Sequence, residues 1–200
     1  LEQIAALWSG AEAWTAWRAT HTPGALIGAD FAGLDARGYD LTDVALTRSL
    51  MEGADFRGAT LVGTGLAMCS LGGARFDGVS LTRVDLTGAT LVQANFEGAS
   101  LSLCRMDKAD MTGANACAAT FDRCVAKTIT GVGANFSQSD HQKTVLTGAC
   151  LTDSCWDESR LTSVFLEQSD LTGASFVGAD VEGDGRHNAA GSGSGTMAAV

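Results

Sequence analysis

From Leu26 to Val181 every fifth residue belongs to one apolar series of 32 centres, and the register never slips. Twenty-five of these centres are Leu, Phe or Met, and seven of the chain's eight Phe fall on the series. The residue two before each centre is small in 29 of 32 cases, the exceptions being Leu34, Tyr39 and Ile129, and Gly stands two after the centre in 16. Ala54-Asp55-Phe56-Arg57-Gly58 and Ser169-Asp170-Leu171-Thr172-Gly173 show the unit: small, polar, large, polar, glycine. A small and a large residue two apart point to the same side of an extended segment, and the polar residue between them points away. Glycine then lets the chain turn. A period of five fits neither a helix nor a long strand, so each unit is one short side of a closed coil.

A second period gives the number of sides. Centres twenty apart run Ala36, Phe56, Phe76, Phe96, Ala116, Phe136, Trp156 and Phe176. Four sides per coil stack Phe56, Phe76, Phe96, Phe136, Trp156 and Phe176 in one interior aromatic column. A rise of about 4.8 Å per coil suits parallel backbone hydrogen bonding, and eight coils make a rod of about 38 Å. The bulk of Trp156 predicts a local bulge.

The ends differ from the middle. Ile4, Leu7, Trp8, Ala11, Trp14 and Trp17 lie at spacings of three and four, one face of an amphipathic helix that Pro23 and Gly24 end. A coil end exposes unpaired backbone and interior side chains, so this helix is read as a cap; a partner-binding helix is the sharper alternative. The expected organisation is a capping helix and linker at 1–23, repeats at 24–182 and a Gly, Ser and Ala tail at 183–200.

These residues resemble the pentapeptide-repeat family, whose consensus is A(D/N)LXX, over roughly residues 26–181. The resemblance implies an all-β fold, a right-handed quadrilateral parallel β-helix of about eight 20-residue coils. It also implies a spread of roles: DNA mimics that inhibit or protect type II topoisomerases such as DNA gyrase, adaptors or effectors linked to secretion systems, and solitary repeats. Sharing a fold transfers none of these.

Chemistry is sparse. No nucleophile elbow, phosphate loop or dinucleotide fingerprint is present, so the expectation is a protein that is not an enzyme and holds no cofactor or metal. Cys69, Cys104 and Cys124 sit at the small inward position, where a thiol acts as a compact apolar group. Cys104 and Cys124 stack twenty residues apart, near enough for a disulfide, although strand stacking does not usually supply its geometry. Cys117, Cys150 and Cys155 face outward, without zinc-ligand spacing. Two swaps, Leu34/Ala36 and Ile129/Gly131, exchange the large and small positions. His141 occupies a central slot, and a buried imidazole needs a partner or a shifted pKa, so the sequence predicts a distorted coil that turns it outward.

Twenty-three acids against thirteen bases give a formal charge of −10, which disfavours direct nucleic-acid binding. No apolar run is long enough for a membrane span, and the start lacks a secretory signal's basic residues. The expected location is cytoplasmic, with signal-independent export as the alternative.

The charge is unevenly shared. The face centred on Leu46, Leu66, Leu86, Met106, Ala126, Leu146 and Leu166 carries seven bases, Arg48, Arg83, Arg105, Lys108, Arg123, Lys127 and Lys143, against four acids, Asp43, Asp85, Asp107 and Glu167. The other three faces are strongly acidic. On the basic face the outward slots of three successive coils are Val125, Val145 and Phe165, with Leu103 nearby. A contiguous exposed apolar column calls for an explanation. It is either a docking surface for a protein partner or a second copy, with Arg123, Lys127 and Lys143 selecting an acidic rim, or lost repeat regularity that the tail covers. DNA mimicry is the rival reading. It needs a continuous acidic stripe, and the resemblance implies an ordered C-terminal pairing module where this chain has Gly and Ser.

Overall fold

The computed structural model describes residues 2–183. The predicted tail, past Gly183, falls outside the described residues. From Leu26 onward the chain winds as a parallel β-solenoid with the predicted four-sided coil. Every central residue from Leu26 to Phe176 is buried, and only the terminal centre, Val181, is partly exposed. Seven short strands form one parallel sheet in sequence order: β1 (Leu61–Val62), β2 (Ser80–Thr82), β3 (Ser100–Ser102), β4 (Thr120–Asp122), β5 (Asp140–Gln142), β6 (Arg160–Thr162) and β7 (Asp180–Glu182). The register is twenty throughout, as in Leu81↔Leu101 and Leu101↔Phe121. The other three sides pair by single bridges at the same interval, for example Asp30↔Leu50↔Ser70.

All 32 corner residues from Gly28 to Gly183 have positive φ, and half of them are not glycine. At most corners the centre's carbonyl accepts the N–H three residues on, as Met51 O does from Ala54 N at 3.1 Å. That bond with a left-handed third residue is the signature of a type II turn, which favours Gly there. Small inward residues do more than fill space. Ser49 Oγ donates to Leu26 O at 2.9 Å, Thr64 Oγ1 to Leu41 O at 2.8 Å and Cys69 Sγ to Leu46 O at 3.0 Å, each reaching the preceding coil. Cys104 and Cys124 make the same contact to Leu81 O and Leu101 O and are free thiols.

The aromatic column forms as two stacks separated at Ala116. Phe76 lies 4.8 Å from Phe56 and 4.7 Å from Phe96, and beyond the gap Trp156 lies 4.3 Å from Phe136 and 5.9 Å from Phe176. The bulge expected at Trp156 does not occur. The ladder Asn135↔Cys155↔Ser175 runs through unbroken, and the indole is wholly buried with Nε1 donating to Ser154 Oγ at 2.7 Å.

His141 also departs from expectation. It is buried within β5, paired between Phe121 and Leu161. Its ring stacks on Phe121 at 4.5 Å, and Nε2 lies 3.0 Å from Ser139 Oγ. A flat aromatic neighbour one coil below accepts an imidazole face without distorting the backbone. Burial pushes the imidazole pKa down to about 3, so the ring is neutral at physiological pH.

The single predicted capping helix is two helices, α1 (Glu2–Trp8) and α2 (Ala11–Arg18), because Gly10 breaks the run at φ 101°. Leu7 and Trp14 are buried, while Ile4 and Trp17 pack against the core's edge. Trp8, the last residue of α1, is 51% exposed, with its ring centroid 6.2 Å from that of Phe31. Trp14 Nε1 donates to Asp40 O at 2.7 Å, and Tyr39 OH donates to Leu7 O at 2.6 Å. Two exceptions to the small slot, Leu34 and Tyr39, therefore belong to the first coil, where a large side chain meets the cap. No helix among the described residues is long and apolar enough to cross a membrane.

Candidate docking face

The face centred on Leu46 to Leu166 takes its outward chemistry from three neighbouring columns. Parallel bridges Asp85↔Arg105, Arg105↔Val125, Val125↔Val145 and Val145↔Phe165 stack the outward slots in one line. Phe165 keeps 40% of its surface exposed, and Val125 and Val145 are half-buried beneath the same line. One corner carries Arg83, Leu103, Arg123 and Lys143 in four successive coils, with φ of 54°, 56°, 52° and 51°. Among the described residues no turn hydrogen bond closes these four corners. Left-handed backbone costs an L-residue about 1–2 kcal/mol, so this run holds long side chains where Gly would be cheaper. Lys127 and Lys108 stand on the other side, and Met68, 56% exposed, extends that corner.

The structure thus brings Leu103, Arg123, Val125, Lys127, Lys143, Val145 and Phe165 onto one surface. Arg105 and Met68 are additional members. Arg105 was legible as one of the face's seven bases, whereas Met68 shares the corner column of Arg48 and Lys108 but carries no charge to mark it.

Ion pairing separates this face from the rest. Among the described residues Arg48, Arg83, Arg105, Lys108, Lys127 and Lys143 form no salt bridge, and only Arg123 is paired, with Asp122 at 3.1 Å. The face outside the aromatic column is the opposite case. Arg37 pairs with Asp35 at 2.7 Å, Arg57 with Asp55 at 2.6 Å and Arg75 with Asp77 at 3.1 Å, and Arg57 also reaches Asp77 at 3.8 Å. The guanidinium of Arg37 holds the Asp35 carboxyl down at about 2. An amide ladder continues the row, Asn115 Nδ2 donating to Asn95 Oδ1 and Asn135 Nδ2 to Asn115 Oδ1, each at 3.2 Å. That face neutralises its own charge along its first coils.

Other groups are dispersed. A recess of about 410 Å³ lies under the cap, lined by Leu7, Trp8, Leu34 and Tyr39 with the Asp35 and Arg37 pair beside it. His21 stacks on Trp17 at 4.8 Å, and Cys117, Cys150 and Cys155 are partly buried on two faces. No group of three metal-ligating side chains occurs among the described residues.

The pentapeptide repeats model matches eight copies, over residues 40–78, 80–115 and 157–183. The chain belongs to the pentapeptide-repeat family. No curated protein matches this pentapeptide-repeat chain in sequence. Among solved structures it is similar to HetL, a pentapeptide repeat protein involved in heterocyst differentiation regulation from the cyanobacterium Nostoc sp. Strain PCC 7120. The TM-score is 0.64 at 21% identity, covering 82% of this chain and 79% of HetL. QnrB1, a plasmid-mediated fluoroquinolone resistance protein, matches with a TM-score of 0.47 at 18% identity, over 82% of this chain and 92% of QnrB1. At 21% identity the likeness to HetL shows the fold alone.

Proposed function

We propose that this pentapeptide-repeat protein is a non-catalytic docking module whose working surface is the Val125, Val145 and Phe165 face. The observation that carries the reading is the set of unpaired cations around a stacked apolar column, in a chain that pairs its arginines elsewhere. An apolar centre with a charged rim is the anatomy of a protein interface, and the free cations select a partner with an acidic rim.

The DNA-mimic alternative asks for a run of free carboxylates. Asp35, Asp55 and Asp77 each hold an arginine, which weighs against that row as the mimicking surface. A secretion adaptor would use the same docking chemistry. The test is a pull-down from the source lysate with wild type and Phe165→Asp side by side, at low and moderate salt. A partner bound by wild type and lost in the variant supports docking at this face. A topoisomerase retained by both and released by salt moves mimicry ahead.

A further inference from the structure

The docking face has a spacing as well as a charge, and the spacing narrows what can lie on it, given the docking function proposed for this face. Val125, Val145 and Phe165 occupy successive rungs of one parallel ladder. Successive rungs are about 4.8 Å apart, so the outer two are separated by about 9.6 Å along the rod. In a helix, residues three or four apart are separated by about 4.5–6 Å along the axis and residues seven apart by about 10.5 Å. One apolar helical stripe therefore matches all three rungs. A strand laid the same way presents same-face residues every 6.6–6.8 Å or so, and its second side chain falls between rungs.

The rim adds polarity across the stripe. Arg123 and Lys143 adjoin the column on one side in successive coils, Lys127 stands on the other, and Arg105 closes the line below Val125. Arg105, Lys127 and Lys143 form no salt bridge among the described residues. We infer that the occupant is an acidic amphipathic helix lying along the rod axis. Its apolar residues at i, i+3 or i+4, and i+7 sit over Val125, Val145 and Phe165, and its carboxylates flank that stripe towards Arg123, Lys143 and Lys127. This is the helix-in-groove mode of recognition transferred to a flat β-solenoid face.

The probe is a dye-labelled peptide of roughly 18 residues with Leu at the helical spacing and Glu on the flanks. Its binding is read by fluorescence anisotropy. Wild type is expected to bind it saturably and at least about tenfold more tightly than a scrambled peptide of the same composition or one interrupted by Pro. Phe165→Asp is expected to weaken binding by about tenfold or more, and Arg123→Glu with Lys143→Glu by a similar factor that shrinks as salt rises. Circular dichroism checks that both variants fold. Equal binding of the scrambled peptide overturns the inference in favour of a general polyanion surface, and binding insensitive to Phe165→Asp overturns it as well. If the lysate partner is lost in Phe165→Asp but the helical peptide fails to bind, the helix assignment falls and the docking reading stands. If neither responds, both fall.

Discussion

His141 lies face to face with Phe121, the ring centroids 4.5 Å apart and the planes 6° from parallel. The stack is closed by Ser139, whose hydroxyl lies 3.0 Å from Nε2 and donates in turn to Phe136 O at 2.5 Å. Nδ1 is buried without a partner. With its folded pKa held down to about 3, His141 stays neutral while the unfolded chain takes up a proton below about 6.5. The native state then binds fewer protons than the unfolded state, so stability falls as pH drops from about 6.5 towards 3.

His141→Leu restores the residue normal in this column, as at Leu101 and Leu161. It removes the unpaired nitrogen and is expected to stabilise the fold by about 1–2 kcal/mol at neutral pH. The gap to wild type widens on acidification. Urea melts of both proteins at several pH values check this, and parallel curves would refute it.

Phe76 is clamped between Phe56 and Phe96, with interplanar angles of 5° and 6°. Phe76→Ala opens a cavity in a column that cannot collapse without breaking the coil register. The expected loss is about 3–5 kcal/mol in denaturant melts.

The cap is held through Asp40, whose carbonyl accepts from Trp14 Nε1 at 2.7 Å and from Arg18 Nη1 at 2.5 Å. Trp14→Phe keeps most of the apolar bulk and removes one donor, a loss of about 1 kcal/mol. Because each coil contacts only its neighbours, the damage stays local. Hydrogen exchange is expected to quicken at Leu41 and Thr60 N–H and to be unchanged at Phe165 N–H.

Arg123 and Lys143 hold left-handed backbone at φ 52° and 51°. Gly at either position relieves about 1–2 kcal/mol of strain against a chain-entropy cost of about 0.5–1 kcal/mol. Arg123→Gly and Lys143→Gly are therefore expected to be slightly more stable than wild type and to bind the acidic partner less well. Thermal melts set beside binding curves check the opposed signs.

The sequence carried most of this architecture because the five- and twenty-residue periods are themselves the geometry of the coil. Buried centres, turning corners and the aromatic column all follow from position alone. His141 misled because the pattern registers polarity and not partners; the informative neighbour was Phe121, twenty residues earlier in the same column. Gly10 was hidden inside a convincing helical stripe, since Trp14 and Leu7 keep their spacing across the break. The Val125, Val145 and Phe165 line was legible from spacing, but the contrast in ion pairing depends on side-chain directions. Part of it was visible in the Asp35-x-Arg37 and Asp55-x-Arg57 pairs, which flank a centre on one face.

We propose that the partner meets one face of the rod. The most direct test places a photo-crosslinking phenylalanine analogue at Phe165 and, in separate proteins, at Ser100, Thr90 and Asn115 on the other three faces. Each protein is irradiated in the source lysate. A discrete adduct is expected from position 165 that is missing from the other three. An adduct from position 90, 100 or 115, with none from 165, would contradict that proposal and transfer the function to the acidic faces.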